Sequence, residues 1–237
     1  MSKFERKYDM TREENVMWAK RMVVDSIWKE ANLEGIGVTF PETQEIYDGR
    51  TVAGLTITQT KAINNLKHAW EFVLENLGVE IDMRYLRQLN GIIGAEGVVG
   101  RAGELRSTEV RIAGIDWRPK LPELETIKQI LADIEKIENP IDRALELFCA
   151  ISRGQWFYDG NKRTAQLAAN AVLIDSGNGV LAISQEKRDV FFAALVAFYE
   201  SGFSGNLKAH LYEHALDGSV PLQKNLNARI KNALEKI

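Results

Sequence analysis

Apolar residues recur at three- and four-residue intervals along most of the chain, and that spacing predicts helices. Within residues 13–29, Val16, Met17, Val23, Val24 and Ile27 share one helical face, interrupted by Lys20, whose stem can cover apolar neighbours. Glycines and Pro41 break the pattern over residues 35–55, which read as loop with one short helix. A long helix follows, with Thr58 as candidate N-cap and Gly78 as its stop after Leu77. Asp82 caps the next, from Met83 to about Ile93, before glycines 91, 94, 97 and 100 loosen the chain. Pro122-Glu123 opens a run with Leu124, Ile127, Ile130, Leu131 and Ile134 on one face. Pro140, after Asn139, opens the most apolar helix, through Leu145, Leu147, Phe148 and Ile151, which is expected to be central. A loop at residues 154–161 leads into an Ala/Leu-rich helix over residues 162–174. Later helices are expected over residues 186–200, 206–216 and from Pro221 onward. Two-residue alternation is confined to Val110 and Ile112 and the stretch up to Ile115, which predicts a short β-hairpin. The fold class expected is therefore mainly α.

Composition narrows the function classes. Thirty Lys and Arg against 33 Asp and Glu give a net charge of -3, with 45% hydrophobic and 27% charged residues. That apolar content excludes a mostly disordered chain. The charge balance gives no general attraction to nucleic acid or anionic lipid, so neither nucleic acid nor membrane is expected as a partner. The single cysteine, Cys149, excludes an internal disulfide and a multi-cysteine zinc site. Apolar stretches fall well short of the roughly 18 residues that span a bilayer. The opening MSKFERKYDM lacks the apolar core of a signal peptide, and the cytoplasm is the expected compartment.

The most informative segment is Gln155 to Thr164, QWFYDGNKRT. Gly160 permits a tight turn, and the N–H groups of the helix start that follows can face phosphate oxygens. Lys162 and Arg163 bring positive charge, Arg163 in a form that contacts two oxygens at once. Asp159 can hold a divalent cation bridging those oxygens. The alternative is a capped loop in which Asp159 merely pairs with Arg163, and the residues alone leave both open.

Phe157-Tyr158-Asp159-Gly160-Asn161-Lys162-Arg163-Thr164 resembles the signature of the Fic/Doc family, and Ala102-Gly103-Glu104-Leu105-Arg106 is similar to that family's Ala-Gly-x-x-Arg segment. The resemblance implies a Fic-like helical fold whose hairpin serves as a flap. It implies binding of ATP with Mg2+ and transfer of AMP to hydroxyls of a protein target, or phosphate transfer in the Doc branch. On the matching positions it implies Asp159 as the metal residue and Gly160, Asn161, Lys162, Arg163, Gln166 and Ile112 as nucleotide-binding residues. Asp159, Asn161 and Arg163 join position 155 as the catalytic set. It also implies a division into residues 1–59, with an inhibitory helix, a core over 60–216 and a C-terminal helix over 217–237.

The departures fall around the reacting centre. Gln155 stands where the family has the histidine that takes the proton of the attacking hydroxyl, and an amide is no base near neutral pH. Trp156 replaces the family's proline, and Gln166 replaces the arginine of many AMP-transferring members. Lys162 matches the phosphate-transferring branch. His68, His210 and His214 lie outside the motif. Glu34, followed by Gly35, is the candidate inhibitory glutamate, with Glu30 the competing position and a solvent-facing role for both the alternative. Weak AMP transfer, an inactive module that binds nucleotide or a regulatory protein partner, and Doc-like phosphate transfer all stay open. So does phosphate-ester cleavage by water.

Overall fold

The computed structural model describes residues 4–112 and 114–219. Its helices are α1 (Arg12–Leu33), α2 (Phe40–Tyr47), α3 (Ile57–Glu75), α4 (Met83–Ile93), α5 (Leu124–Glu135), α6 (Pro140–Gly154), α7 (Asn161–Asp175), α8 (Arg188–Ser201) and α9 (Gly205–His214). The first three start with the same device. Thr11, Thr39 and Thr56 each accept from the backbone N–H three residues on, while Glu14, Glu42 and Gln59 reach back to the cap's own N–H. Thr56, not Thr58, therefore caps α3, because only Thr56 has a Gln or Glu at the reciprocal position. Pro140 sits at the first position of α6, with Asn139 accepting from the N–H groups of Ile141 and Asp142.

α7 is the axis of the packing. Every one of its residues except Lys162 and Asp175 is buried, and α1, α3, α4 and α6 all pack against it. The small side chains of Ala165, Ala168, Ala169 and Ala171 let those neighbours approach, and Trp70, Phe148, Leu86 and Ile27 fill the space between them. Buried asparagines tie the layers together. Asn170 accepts from the N–H of Leu181 at 2.7 Å and donates to its carbonyl at 2.9 Å, and Asn15 of α1 closes the same kind of pair on Gly179.

The fold class is the expected one, mainly α with a small antiparallel sheet. Its strands are β1 (Val180–Leu181) and β2 (Leu216–Asp217), with Leu181 opposite Leu216. Residues 110–112 and 114–115 carry no strand; they form a loop turned by the N–H of Ile115 on the carbonyl of Ile112 at 3.2 Å. The alternation there is too short to bury a face, and the segment is anchored by a side chain instead of a ladder, as described below. The helix expected over residues 206–216 ends at His214, because Leu216 pairs into the sheet. The helix expected from Pro221 lies outside the described residues. Among the described residues, no helix is long and apolar enough to cross a membrane.

Candidate functional site

The link between α6 and α7 brings most of the expected site residues together. Two left-handed residues bracket it: Gln155 (φ 46°, ψ 51°) ends α6, and Gly160 (φ 75°, ψ 9°) precedes α7. Glycine suits the second position twice over, since a Cβ there would lie 3.0 Å from Asn90 Nδ2. Between them Trp156 and Phe157 turn inward and are buried, while Asp159 faces solvent. Asn161 holds the turn by accepting from the N–H of Phe157 and donating to its carbonyl, both at 2.9 Å. The indole of Trp156 lies directly on Gly154, where a Cβ would meet Nε1 at 2.2 Å.

The amide of Gln155 is fully engaged. Nε2 donates to the Ser152 carbonyl at 2.6 Å and to the Tyr199 hydroxyl at 3.4 Å, and Oε1 accepts from Asn161 Nδ2 at 3.3 Å. Burial raises the pKa of Tyr199, which keeps that phenol neutral. The three histidines are elsewhere: His68 is exposed on α3, and His210 and His214 meet edge to face along α9.

The cations of the loop meet a carboxylate from the far end of the sequence. Glu34, the residue that closes α1, lies 3.2 Å from Lys162 Nζ through Oε1 and 3.8 Å from Arg163 Nε through Oε2. Neither contact has hydrogen-bond alignment, so the attraction is Coulombic. Arg163 also reaches Asp159 Oδ1 at 3.4 Å, the pairing that the residues alone allowed, and Asp159 Oδ1 accepts the Gly160 N–H at 2.5 Å. Beneath this layer Glu30 is 1% exposed. Neither glutamate is solvent-facing. Glu30, Glu34, Lys162, Arg163 and Gln166 line one crevice too narrow to hold a water molecule. Burial pushes the Glu30 carboxyl up to about 8, with Arg163 lowering it and Glu34 raising it further. Ile112 sits apart, half-buried at the turn of the neighbouring segment.

Two residues outside the stretch from Gln155 to Thr164 hold this geometry. Asn90 of α4 donates to the Asp159 carbonyl at 2.9 Å and to Thr164 Oγ1 at 3.0 Å, and accepts from the Gly103 N–H at 2.8 Å. Its signal in the sequence is a polar residue on the apolar face that Leu86, Leu89 and Ile93 define. Arg106, 2% exposed, donates to the carbonyls of Gln155 (2.5 Å), Thr108 (2.9 Å), Pro119 (3.2 Å) and Lys120. One guanidinium thus ties the left-handed turn to both ends of the segment between Ser107 and Lys120. The bridge Leu105↔Phe157 runs beside it. Tyr158 adds a surface link, its hydroxyl 2.8 Å from Ser107 Oγ and 2.5 Å from Arg101 Nη1, and its bonds with Ser107 lower its pKa.

A divalent cation accompanying phosphate fits this donor set only as a shared ligand. Among the described residues no three His, Cys, Asp or Glu side chains cluster for a metal. Asp159 offers one solvent-facing carboxylate beside an α7 N-terminus with no side-chain cap, which suits Mg2+ held chiefly by phosphate and water.

Residues 80–173 match the family model described as Fic/DOC family. Similar solved structures include Fic-1 (aa 134–508) from C. elegans, 21% identical with a TM-score of 0.73, covering 93% of this chain and 67% of that one. A Fic domain containing signaling protein from Bacteroides thetaiotaomicron is 19% identical with a TM-score of 0.71, covering 86% of each chain. BepC, a VirB-translocated effector from Bartonella tribocorum with bound AMPPNP, is 15% identical with a TM-score of 0.52, covering 73% of this chain and 89% of that one. These likenesses are likenesses of fold. No curated protein matches the chain by sequence.

Proposed function

The chain carries a Fic/DOC-family domain, and on that premise we propose that it binds the phosphates of Mg-ATP at Gly160, Asn161, Lys162 and Arg163 and transfers AMP to a protein hydroxyl only slowly. The observation that supports this most is the loosely held ion pair of Glu34 with Lys162 and Arg163. Two cations beside a helix N-terminus without a side-chain cap suit phosphate, and Glu34 lies against them with a misaligned carboxylate. Asp159 is the residue to hold Mg2+, and Mg-ATP, when bound, supplies the transferable nucleotidyl group. Arg163, 7% exposed in its side chain, supplies a preorganised charge to the phosphates, and Asn161 keeps the loop backbone in place. Gln155 takes no proton, because its amide is neutral and already committed to three partners. The same commitment supports a second reading, a nucleotide-dependent binding module without transfer, in which the segment from Ser107 to Lys120 docks a protein.

Calorimetry with ATP, with and without magnesium, tests the first claim on the parent chain and on Glu34→Gly. Tighter binding in Glu34→Gly is expected, since removing the carboxylate removes its repulsion of phosphate. No binding at millimolar ATP in either protein removes the nucleotide reading. Incubation with ATP labelled at the α or γ phosphate then separates AMP transfer, Doc-like phosphate transfer and a silent binding module.

A further inference from the structure

A second cavity, of about 710 Å³, lies on the other side of Trp156 from the phosphate loop. Its floor is apolar, formed by Ile127 and Ile130 of α5, Ala150 of α6 and Trp156. Such a volume, with an apolar floor and charged side chains around it, is ordinary for a binding site. The wall formed by residues 117–123 is fixed, since Arg106 grips the carbonyls of Pro119 and Lys120.

Three cations line the cavity. Arg153 is the best prepared. Its guanidinium lies 4.3 Å over the Trp117 ring and 5.7 Å from Phe198, and its Nε and Nη2 donate to the Tyr199 carbonyl at 3.2 and 3.0 Å. Nη1 makes no hydrogen bond among the described residues, so this lining residue keeps a donor to offer. Arg118 and Lys120, both exposed on the rim, form no ion pair among the described residues. Of the two carboxylates in the lining, Glu146 is neutralised by Lys208, and Glu123 accepts from the Thr126 hydroxyl at 3.3 Å. The cavity therefore has an excess of positive charge over an apolar floor.

We propose that this cleft docks an acidic polypeptide segment of a partner protein, with a carboxylate on Arg153, a second near Arg118 and Lys120, and a large apolar side chain on the floor. The inference rests on the reading that this chain engages a protein and names that protein's chemistry. A nucleic acid fits less well, because the cleft offers only three cations over an apolar floor, not an extended basic track, and the chain carries a net charge of -3.

The test uses fluorescence anisotropy on the full chain without nucleotide. The probe is a fluorescein-labelled dodecapeptide of alternating Glu with Leu and Phe. Its Lys counterpart, a version with Ser for Leu and Phe, and an oligo-dT of equal length serve as comparisons. Saturable binding of the acidic apolar peptide alone is expected. Each lost charge-assisted contact is worth about tenfold in affinity, so Arg118→Glu with Lys120→Glu weakens binding at least that much, and Arg153→Met does the same. Lys128→Glu, on α5 outside the cleft, leaves it unchanged. The rim pair is exposed, so its variant keeps the test valid if Arg153→Met fails to fold. Absent binding, equal binding of the Lys or Ser peptide, preference for oligo-dT, or indifference to the rim charges overturns the proposal. Peptide binding and ATP binding are read separately, so failure of one is not failure of the other.

Discussion

Replacing Glu30 by glutamine keeps the shape of the contact between α1 and α7 and removes an acid buried inside it. Neither Glu30 oxygen has a hydrogen bond among the described residues, and the Trp70 indole N–H nearby also lacks an aligned partner. Burial raises the carboxyl from its ordinary 4.5 to about 8. Between those values the folded chain keeps a proton that the unfolded chain has released. Stability therefore falls as pH rises, by about 1.4 kcal/mol per pH unit for one proton. The loss begins above 4.5 and is complete once pH passes about 8. At neutral pH it amounts to on the order of 3 kcal/mol, a large share of the roughly 5–15 kcal/mol that holds a domain together. Glu30→Gln removes this dependence. Urea unfolding of both proteins from acid to alkaline pH is the assay, with equal m-values as the check that both unfold alike. The expected result is near-equal stability below the ordinary carboxylate range and a widening advantage for Glu30→Gln up to about pH 8. A difference that stays flat with pH, or that favours wild type as pH rises, would show an ionised Glu30 paired with Arg163 and refute the reasoning.

Restoring a base by Gln155→His, alone and with Trp156→Pro, should raise any AMP transfer by about 10²–10⁴-fold, measured with α-labelled ATP; folded, Mg-ATP-binding variants that stay at the parental rate would shift the defect to Gln166. Gly160→Ala places a Cβ against Asn90 in a left-handed turn, at a cost of about 1–2 kcal/mol, so a lower melting temperature and weaker ATP binding are expected together. Asn90→Ala removes three hydrogen bonds and should cost about 2–3 kcal/mol. Hydrogen exchange should then quicken both near Gly103 and at Asp159, and a change at only one of them would deny that Asn90 links the two. Tyr158→Phe, by contrast, should leave stability within about 0.5 kcal/mol, because the hydrogen bonds of its hydroxyl are solvent-exposed, when measured by thermal unfolding.

Much of the fold was legible because local signals agreed with each other. Asp82 marked the start of α4, and Asn139-Pro140 the start of α6, in both cases through the chemistry of the cap. The link between α6 and α7 was legible for the same reason: Gly160 and the cations that follow it are adjacent in sequence. What stayed hidden depended on distant residues. Glu30 continues the apolar face of Val23 and Ile27, but sequence spacing does not tell a buried carboxyl from one that leans to solvent. Arg106 stands in the segment that resembles the family's Ala-Gly-x-x-Arg stretch, yet its four acceptors span residues 108 to 155, which only the packing brings together. The strand pair was misplaced because β1 and β2 are two residues long, too short to leave an alternation.

The left-handed turn at Gln155 has an electrostatic consequence. An antiparallel pair of helices sets the negative end of one beside the positive end of the next, and the two fields would largely cancel in the loop between them. Here the cancellation is broken on one side. The backbone N–H of Gln155 covers the Ile151 carbonyl, its Nε2 covers the Ser152 carbonyl, and Arg153 occupies the last turn, so the negative pole of α6 is muffled. The positive pole of α7 has no side-chain cap, and the carboxylates nearest it, Asp159 on the Gly160 N–H and Glu34 against Lys162 and Arg163, answer it only in part. The loop is thus a rectified dipole pair, open only to negative charge, on a chain whose net charge is itself negative. A small anion would be repelled at long range and captured at short range, so added salt should screen the repulsion first and leave the capture, which happens within the first turn, comparatively untouched.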